Sequence, residues 1–382
     1  MKIAILASNR KPIPSPKDLI FAPGVIIYEL VEGLVRKGHD VTLFAPEGTK
    51  TTAKLITAGT KSLYEDFSDN QNFAKKRASN IEEYLLKDVQ YELLMASTAF
   101  EYIKKNKFDI VHSHKTLHEI YFSKLIDTPC LFTFHDISKR EIPNDISLRR
   151  LKKYTKTAYF VSISDSQRHG LEFLNFVDTV YNGVKIEDFK FSNGDKNLLF
   201  VGRIDISKGA DTAVKLALET KRPLLIVGDV AYNSPGLKIF NKIKKHIDNE
   251  RIKYLGHVQF DKIKDIYKQA KVLLFPIQQS DSFGLVMIEA MACGTPVIAF
   301  NLGSVPEIIK NGQTGFICPV GDTNAMIKAI RKIYEMTESE YQKMRQNCRQ
   351  HVEENFTIEK MVDGYEKVYE KVIRDWKSKN IH

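Results

Sequence analysis

The stretch from Lys271 to Phe300 does most to limit what this chain can fold into. Its apolar run KVLLF (Lys271–Phe275) reads as a buried strand, and Pro276 with the polar loop after it ends that strand. From Phe283-Gly284 the spacing becomes helical, with Leu285, Ile288, Met291 and Ala292 on one face. Gly294-Thr295-Pro296 stops the helix, and VIAF follows as the next strand. This is a strand–loop–helix–strand unit whose loop feeds a helix N-terminus, where unpaired N–H groups and the helix dipole favour an anion. Asp281 stands just outside that helix and Glu289 about two turns inside it, so the two carboxylates can reach different parts of one extended ligand. On local grounds a capped and glycine-stopped helix with no ligand fits these residues equally well.

The same alternation runs through the rest of the chain. KIAILA (Lys2–Ala7), DVTLFA (Asp40–Ala45), FDIVHSH (Phe108–His114), PCLFTFHD (Pro129–Asp136), AYFVSIS (Ala158–Ser164) and DTVYNGV (Asp178–Val184) read as strands. A proline-bearing loop ending in Pro23-Gly24 leads to a helix predicted over Val25–Lys37, and a long amphipathic helix is predicted over Ser79–Lys107. Around Lys190–Asn197 the composition turns polar, as domain linkers do. The pattern then restarts with NLLFVGR, PLLIVGD, RIKYLGHV, KVLLF, PVIAF and TGFICPV. From Thr357 onward Ile358, Met361, Val362, Tyr365, Val368, Tyr369, Val372, Ile373 and Trp376 keep to one helical face. The expectation is two parallel α/β domains, residues 1–190 and 197–356, closed by a terminal helix over 357–382.

A chain of 382 residues is long enough for two such cores. With 43% hydrophobic and 27% charged residues it has an ordinary globular composition, and no apolar run is long enough to span a bilayer. MKIAILAS reads as the first strand rather than a signal peptide. The four cysteines form no C-x-x-C pair, which points to a reduced, cytoplasmic protein. A formal charge of +10 suits anionic partners such as nucleotide sugars or lipid headgroups, and a solvated lysine-rich surface accounts for it equally well. Nucleic acid is set aside, because no motif for it appears and the basic residues are not interleaved with aromatics. The basic cluster Arg149, Arg150, Lys152, Lys153 and Lys156 leaves peripheral contact with an anionic membrane face open.

Several residues carry possible chemistry. In VGRIDISKGAD, Arg203 and Lys208 flank a strand-to-helix loop, where a guanidinium fork and an ammonium can clamp a pyrophosphate from two sides. Standing alone they would also read as surface cations. His112-x-His114-x3-His118 lacks an accompanying acid or cysteine cluster, and strand alternation explains its first pair, so no metal site is expected. His135 stands at a strand end in TFHD.

The wording DSFGLVMIEAMACGTPVI closely resembles the acid-x7-acid signature of the retaining, nucleotide-sugar-dependent glycosyltransferases of family GT4, and VGRIDISKG resembles their G-R-x-x-x-x-K-G motif. The resemblance spans nearly all of the second half and is looser over the first. It implies the GT-B fold: two Rossmann-like domains with parallel sheets facing a cleft, and a last helix crossing back to the first domain. It implies transfer of a hexose from a UDP- or GDP-sugar to a hydroxyl acceptor (glycan, lipid-linked or small molecule), with retention and with no metal or other cofactor. By the same resemblance Arg203 and Lys208 hold the donor phosphates, and Glu289 binds the ribose hydroxyls. Asp281, one methylene shorter than the usual Glu, contacts the sugar. The backbone of Phe283, Gly284, Leu285 and Val286 meets sugar hydroxyls and phosphate, and Val258, after Gly256-His257, meets the nucleobase. Gly24 stands where a glycine pair approaches donor phosphate and acceptor, and His135 falls beside the C6 group of the sugar. His135, Asp281, Arg203 and Lys208 form the expected catalytic set. A nucleotide-sugar isomerase on the same fold and a non-catalytic nucleotide-sugar binder stay open as alternatives.

Overall fold

The structure is a computed structural model that describes residues 1–15, 22–68, 73–114, 116–135, 145–194, 196–232 and 234–379. It divides into two compact units, one formed by Met1–Asn182 with Ile358–His382, the other by Gly183–Thr357.

Seven parallel strands build the first unit: β1 (Lys2–Leu6), β2 (Asp40–Phe44), β3 (Lys54–Ile56), β4 (Ile110–Ser113), β5 (Cys130–Thr133), β6 (Tyr159–Ser162) and β7 (Phe176–Thr179). Their order in the sheet is β3-β2-β1-β4-β5-β6-β7, with Ile3 opposite Val41 on one side and Ile110 on the other. The central strands are buried along almost their whole length because both faces of the sheet are covered. On one face the helix Ile81–Lys105 lays Met95, Ala99, Phe100 and Ile103 against Ala4, Leu6, Val111 and Phe132. The pleat turns His112 to the opposite face, where its ring meets Tyr369 of the helix Ile358–Lys379. The last helix is thus part of the first unit. It buries Met361, Val362, Tyr365, Val368, Tyr369 and Val372, and its Glu366 accepts from His39 at 2.9 Å.

Six parallel strands build the second unit: β8 (Leu198–Val201), β9 (Leu224–Val227), β10 (Ile252–Gly256), β11 (Val272–Phe275), β12 (Val297–Phe300) and β13 (Gly315–Cys318). They lie in the order β10-β9-β8-β11-β12-β13. Leu198, Phe200, Ile226, Leu274, Ile298 and Phe300 form a core with Ala213, Val214 and Ala217 of one helix and Met326, Ile330 and Ile333 of another.

Four details differ from the expectations above. Strand β3 was not foreseen, because its three partly exposed residues are too short a run to show a period. The strand expected over 178–184 is β7, two residues earlier; past Val180, which donates to Ser162 at 2.9 Å, the chain leaves the sheet. The first helix runs over Ala22–Arg36, because Pro23 fits inside a first helical turn, so Gly24 is helical rather than in the loop. Finally, residues 183–190 join the second unit instead of the first. The N–H of Val184 donates to the carbonyl of Phe356 at 2.8 Å, and Arg349 donates to the carbonyl of Phe189. Next to them the fully buried Arg345 donates to the carbonyls of Ser192 (2.8 Å), Cys293 (3.0 Å) and Ala270 (3.2 Å). Hydrogen bonds from a helix about 150 residues downstream, not local polarity, set this boundary.

Candidate functional site

In the second unit the strand order reverses between β8 and β11, so the loops that leave these two strands part at the place where open α/β sheets take ligands. The first loop, from Arg203 to Gly209, is folded around one carboxylate. Asp205 is buried and accepts from the Ser207 N–H (2.9 Å), the Lys208 N–H (3.2 Å) and Arg203 Nε (2.5 Å). Burial pushes the Asp205 carboxyl up, but the bonds from Ser207 and Arg203 outweigh it and hold the group below the ordinary carboxylate range. The Arg203 side chain is 60% exposed; with Nε engaged, its two terminal nitrogens form the outward fork.

The second loop, from Pro276 to Gly284, lies against the first. The N–H of Gln278 donates to the Ser207 carbonyl at 2.7 Å. Gly209 (φ +76°) passes so close to Pro276 that a Cβ there would lie 2.0 Å from the Pro276 carbonyl oxygen. This approach lets Lys208 reach across, and its Nζ lies 2.5 Å from Asp281 Oδ2. An ammonium has three protons, so the ion pair leaves two for other oxygens. The helix Leu285–Ala292 begins directly after, capped by Gly284, and the N–H groups of Leu285 and Val286 have no partner within a helix that starts there. The Phe283 ring is buried in the core beside Phe356, so only the backbone of Phe283 is available to a ligand.

Glu289, on the same helix, is partly buried and accepts from the Tyr267 hydroxyl at 2.7 Å through Oε2. Burial raises its pKa; the Tyr267 bond and the charge of Lys264 act the other way without cancelling the rise. Its second oxygen is the one left for a ligand hydroxyl. Val258 follows the end of β10, on the same edge of the sheet but two strands away from β8. Arg203, Lys208, Asp281, Glu289 and the 283–286 backbone are therefore gathered by this unit, with Val258 further along its edge.

Gly24 and His135 belong to the first unit. There the order reverses between β1 and β4, and His135 follows β5, the next strand along. His135 Nε2 lies 2.9 Å from Nδ1 of His114, which follows β4. His112 is occupied on both nitrogens, by Tyr369 (2.7 Å) and Thr133 (2.8 Å). Among the described residues no three His, Cys, Asp or Glu side chains gather as a metal-binding set.

Sequence reasoning missed the supports of the site. Asp205 was legible in principle, since Asp-x-Ser is the pattern of a turn in which the carboxylate caps the backbone two residues on. Gly303 and Ser304 carried no such signal. Ser304 Oγ donates to the Phe283 carbonyl at 2.6 Å, and Gly303 (φ +61°) packs so tightly that a Cβ would lie 2.6 Å from the Asp281 carbonyl oxygen.

Comparisons with known proteins bear on this geometry. The family profile described as Glycosyl transferases group 1 matches residues 184–351, and that of Glycosyltransferase Family 4 matches residues 24–188. An N-acetyl-alpha-D-glucosaminyl L-malate synthase from Bacillus anthracis is 26% identical over 94% of this chain and 96% of its own length. Among solved structures, a sucrose-phosphate synthase from Thermosynechococcus elongatus superposes with a TM-score of 0.73 at 19% identity, over 98% of this chain and 99% of its own. The Anabaena protein Alr3699/HepE, in complex with UDP, superposes with a TM-score of 0.71 at 15% identity, over 97% of this chain and 100% of its own. Fold and matches together define a glycosyltransferase of the GT-B type. Within that class the chain belongs to the GT4-type family.

Proposed function

We propose that the protein transfers a hexose from a UDP- or GDP-sugar to a hydroxyl acceptor, with retention of anomeric configuration and without a metal. The observation that carries this reading is the pairing of Lys208 with Asp281 at the switch point of the second unit, beside the Arg203 fork and an open helix start. Breaking the sugar–phosphate bond puts charge on the departing diphosphate, and Arg203 and Lys208 supply fixed positive charge for it. Asp281 is proposed to accept from sugar hydroxyls, Glu289 from the ribose diol through its second oxygen, and the backbone beyond Val258 to border the base. Retention is proposed to follow from substitution on one face: the anomeric carbon leaves the phosphate oxygen and joins the acceptor oxygen, while the acceptor proton passes to the departing phosphate. His135 is the group of the first unit proposed to act on the transferring sugar.

UDP is the first donor base to test, because the Anabaena neighbour is described with UDP and also with UDP-glucose. A small hydroxy acid is the first acceptor to test, because a relative over nearly the whole chain is named for a malate product. The four cysteines are free and buried, and among the described residues no helix is long and apolar enough to cross a membrane, which supports a cytoplasmic setting. Exposed Arg149, Lys152 and Lys153 on the helix Asp145–Tyr154, with exposed Lys156 just after it, support peripheral contact with anionic lipid, which vesicle flotation with and without such lipid would test.

A thermal-shift panel of UDP, GDP, ADP and dTDP with their common sugars tests the donor reading. One base should raise the melting temperature, since a ligand that binds the native state stabilises it. Turnover of that donor with acceptors, unchanged by EDTA, then separates a transferase from a binder; no shift with any donor at high concentration would count against the whole reading.

A further inference from the structure

His112 in β4, His114 just after it and His135 after β5 pack ring against ring, and the proton positions of the last two can be worked out. His112 is fully buried, with its nitrogens 2.7 Å from the Tyr369 hydroxyl and 2.8 Å from the Thr133 hydroxyl, which in turn lies 3.2 Å from that of Tyr365. His114 is also buried and packs on it, ring centres 4.0 Å apart. The next contact is of another kind. The rings of His114 and His135 are inclined by only 19°, with centres 5.1 Å apart and Nδ1 to Nε2 at 2.9 Å. The centre separation is close to the nitrogen separation plus one ring radius at each end, so the two rings meet edge to edge and the bond lies in both planes. A neutral imidazole has one N–H and one lone pair, so the single proton between the rings sets the tautomer of both.

The direction follows from the far side of His114. Its Nε2 is buried and has no partner among the described residues. Were His135 the donor, His114 would carry its own proton on that Nε2, and a buried N–H without an acceptor is among the rarest arrangements in folded proteins. We infer that His114 is a positioning residue: it donates its Nδ1–H to Nε2 of His135 and so fixes the His135 ring plane and places the His135 proton on Nδ1. In this arrangement Nε2 of His135 is not a base available to substrate, and the ring can act on a sugar oxygen only as a donor through Nδ1–H. Burial, with the neighbouring histidines adding to it, keeps His114 neutral well below its ordinary pKa, and burial holds His112 at about 3, so neither ring takes up a second proton near neutrality. The effect on turnover rests on the transferase reading; the tautomer does not.

Two-bond 1H–15N spectra of the 15N-histidine-labelled full chain, assigned with His135→Gln, test the inference directly. The expected pattern at neutral pH is His135 with Nδ1 protonated and Nε2 bare. An Nε2–H pattern, or an averaged mixture, in the wild-type protein overturns it. His114→Phe keeps a ring but removes the donor and should convert His135 to a mixture. It should lower turnover by roughly tenfold or more, the usual scale for groups that orient a functional histidine, while leaving the donor-induced thermal shift unchanged. His114→Asn, whose amide can donate from nearly the same place, should restore both the tautomer and the turnover. An unaltered His135 pattern in His114→Phe overturns the inference; if that variant does not fold, the wild-type and His114→Asn spectra decide. If the wild-type protein turns over no donor at all, the transferase reading fails while the spectra still decide the role of His114.

Discussion

At the switch point of the second unit, charge is set against charge. Lys208 faces Asp281, Arg203 faces Asp205, and all four groups keep some contact with solvent or with a loop that borders it. At the ends of β4 and β5 in the first unit the polar groups are imidazoles and hydroxyls, and burial keeps His112 and His114 neutral. The first arrangement suits a ligand that is itself charged and grows more so as a bond breaks. The second suits the placing of protons on uncharged oxygens, where direction matters more than field strength. The comparison teaches that loss of a group should show up mainly in activity at the charged site and mainly in stability at the neutral one.

The largest effect expected is for Lys208→Ala. Removal of one charge-stabilising donor costs about 3–4 kcal/mol of barrier, a loss of turnover of roughly 10²–10³-fold. A half-exposed ion pair adds about 0–1 kcal/mol to stability, so the melting temperature should barely move. Turnover unchanged with intact donor affinity would remove Lys208 from the mechanism. Gly303→Ala comes next. Its Cβ would press on the Asp281 backbone, and forcing such a position costs about 1–3 kcal/mol, so both stability and donor affinity should fall. A normal donor titration for this variant would show that the acid loop tolerates displacement and that the support is not needed.

Glu289→Gln sharpens the contrast through its sign. A hydrogen bond to a charged group contributes about 1.5–3 kcal/mol, so donor affinity should drop by roughly tenfold or more in an isothermal titration. The folded state raises the pKa of Glu289, which means that it disfavours the ionised form; above the unfolded pKa the charge therefore costs stability, and the neutral amide should leave the melting temperature unchanged or higher. For the same reason donor affinity of the wild-type protein should begin to fall on acidification at a higher pH than an ordinary glutamate would give. A clear loss of stability in Glu289→Gln would contradict this. The smallest effect belongs to the neutral site: Tyr369→Phe leaves one His112 nitrogen without its partner and should cost about 1–2 kcal/mol in denaturant unfolding, with donor binding untouched.

How much of this was legible depended on the distance over which a contact forms. The strand–loop–helix from Lys271 to Phe300 could be read because its apolar run, its stop and its acids lie within thirty residues. Arg203 and Lys208 could be read as a pair, but not the carboxylate that shapes their loop. Tyr267, which holds Glu289, lies 22 residues before it on a different helix, and no local period links the two. Tyr369, which holds His112, lies 257 residues after it. The first-half histidines accordingly looked like an alternating strand with one functional neighbour, and only the packing shows that His114 bonds to His135. The unit boundary failed for the same reason, since Arg345 and Arg349 secure a segment whose own composition reads as linker.

The place of the last helix also has a consequence for biosynthesis. The second unit occupies one continuous span, residues 183–357, and every strand and helix it needs has been translated by its end. The first unit begins earlier and finishes later, because Tyr365 and Tyr369 belong to it. While the ribosome works through the second half, the first unit lacks the helix that buries Met361, Val362 and Val368, and His112 lacks its phenol. Nascent chains usually fold their N-terminal domain first. Here the order is inverted: the half made first is the half completed last.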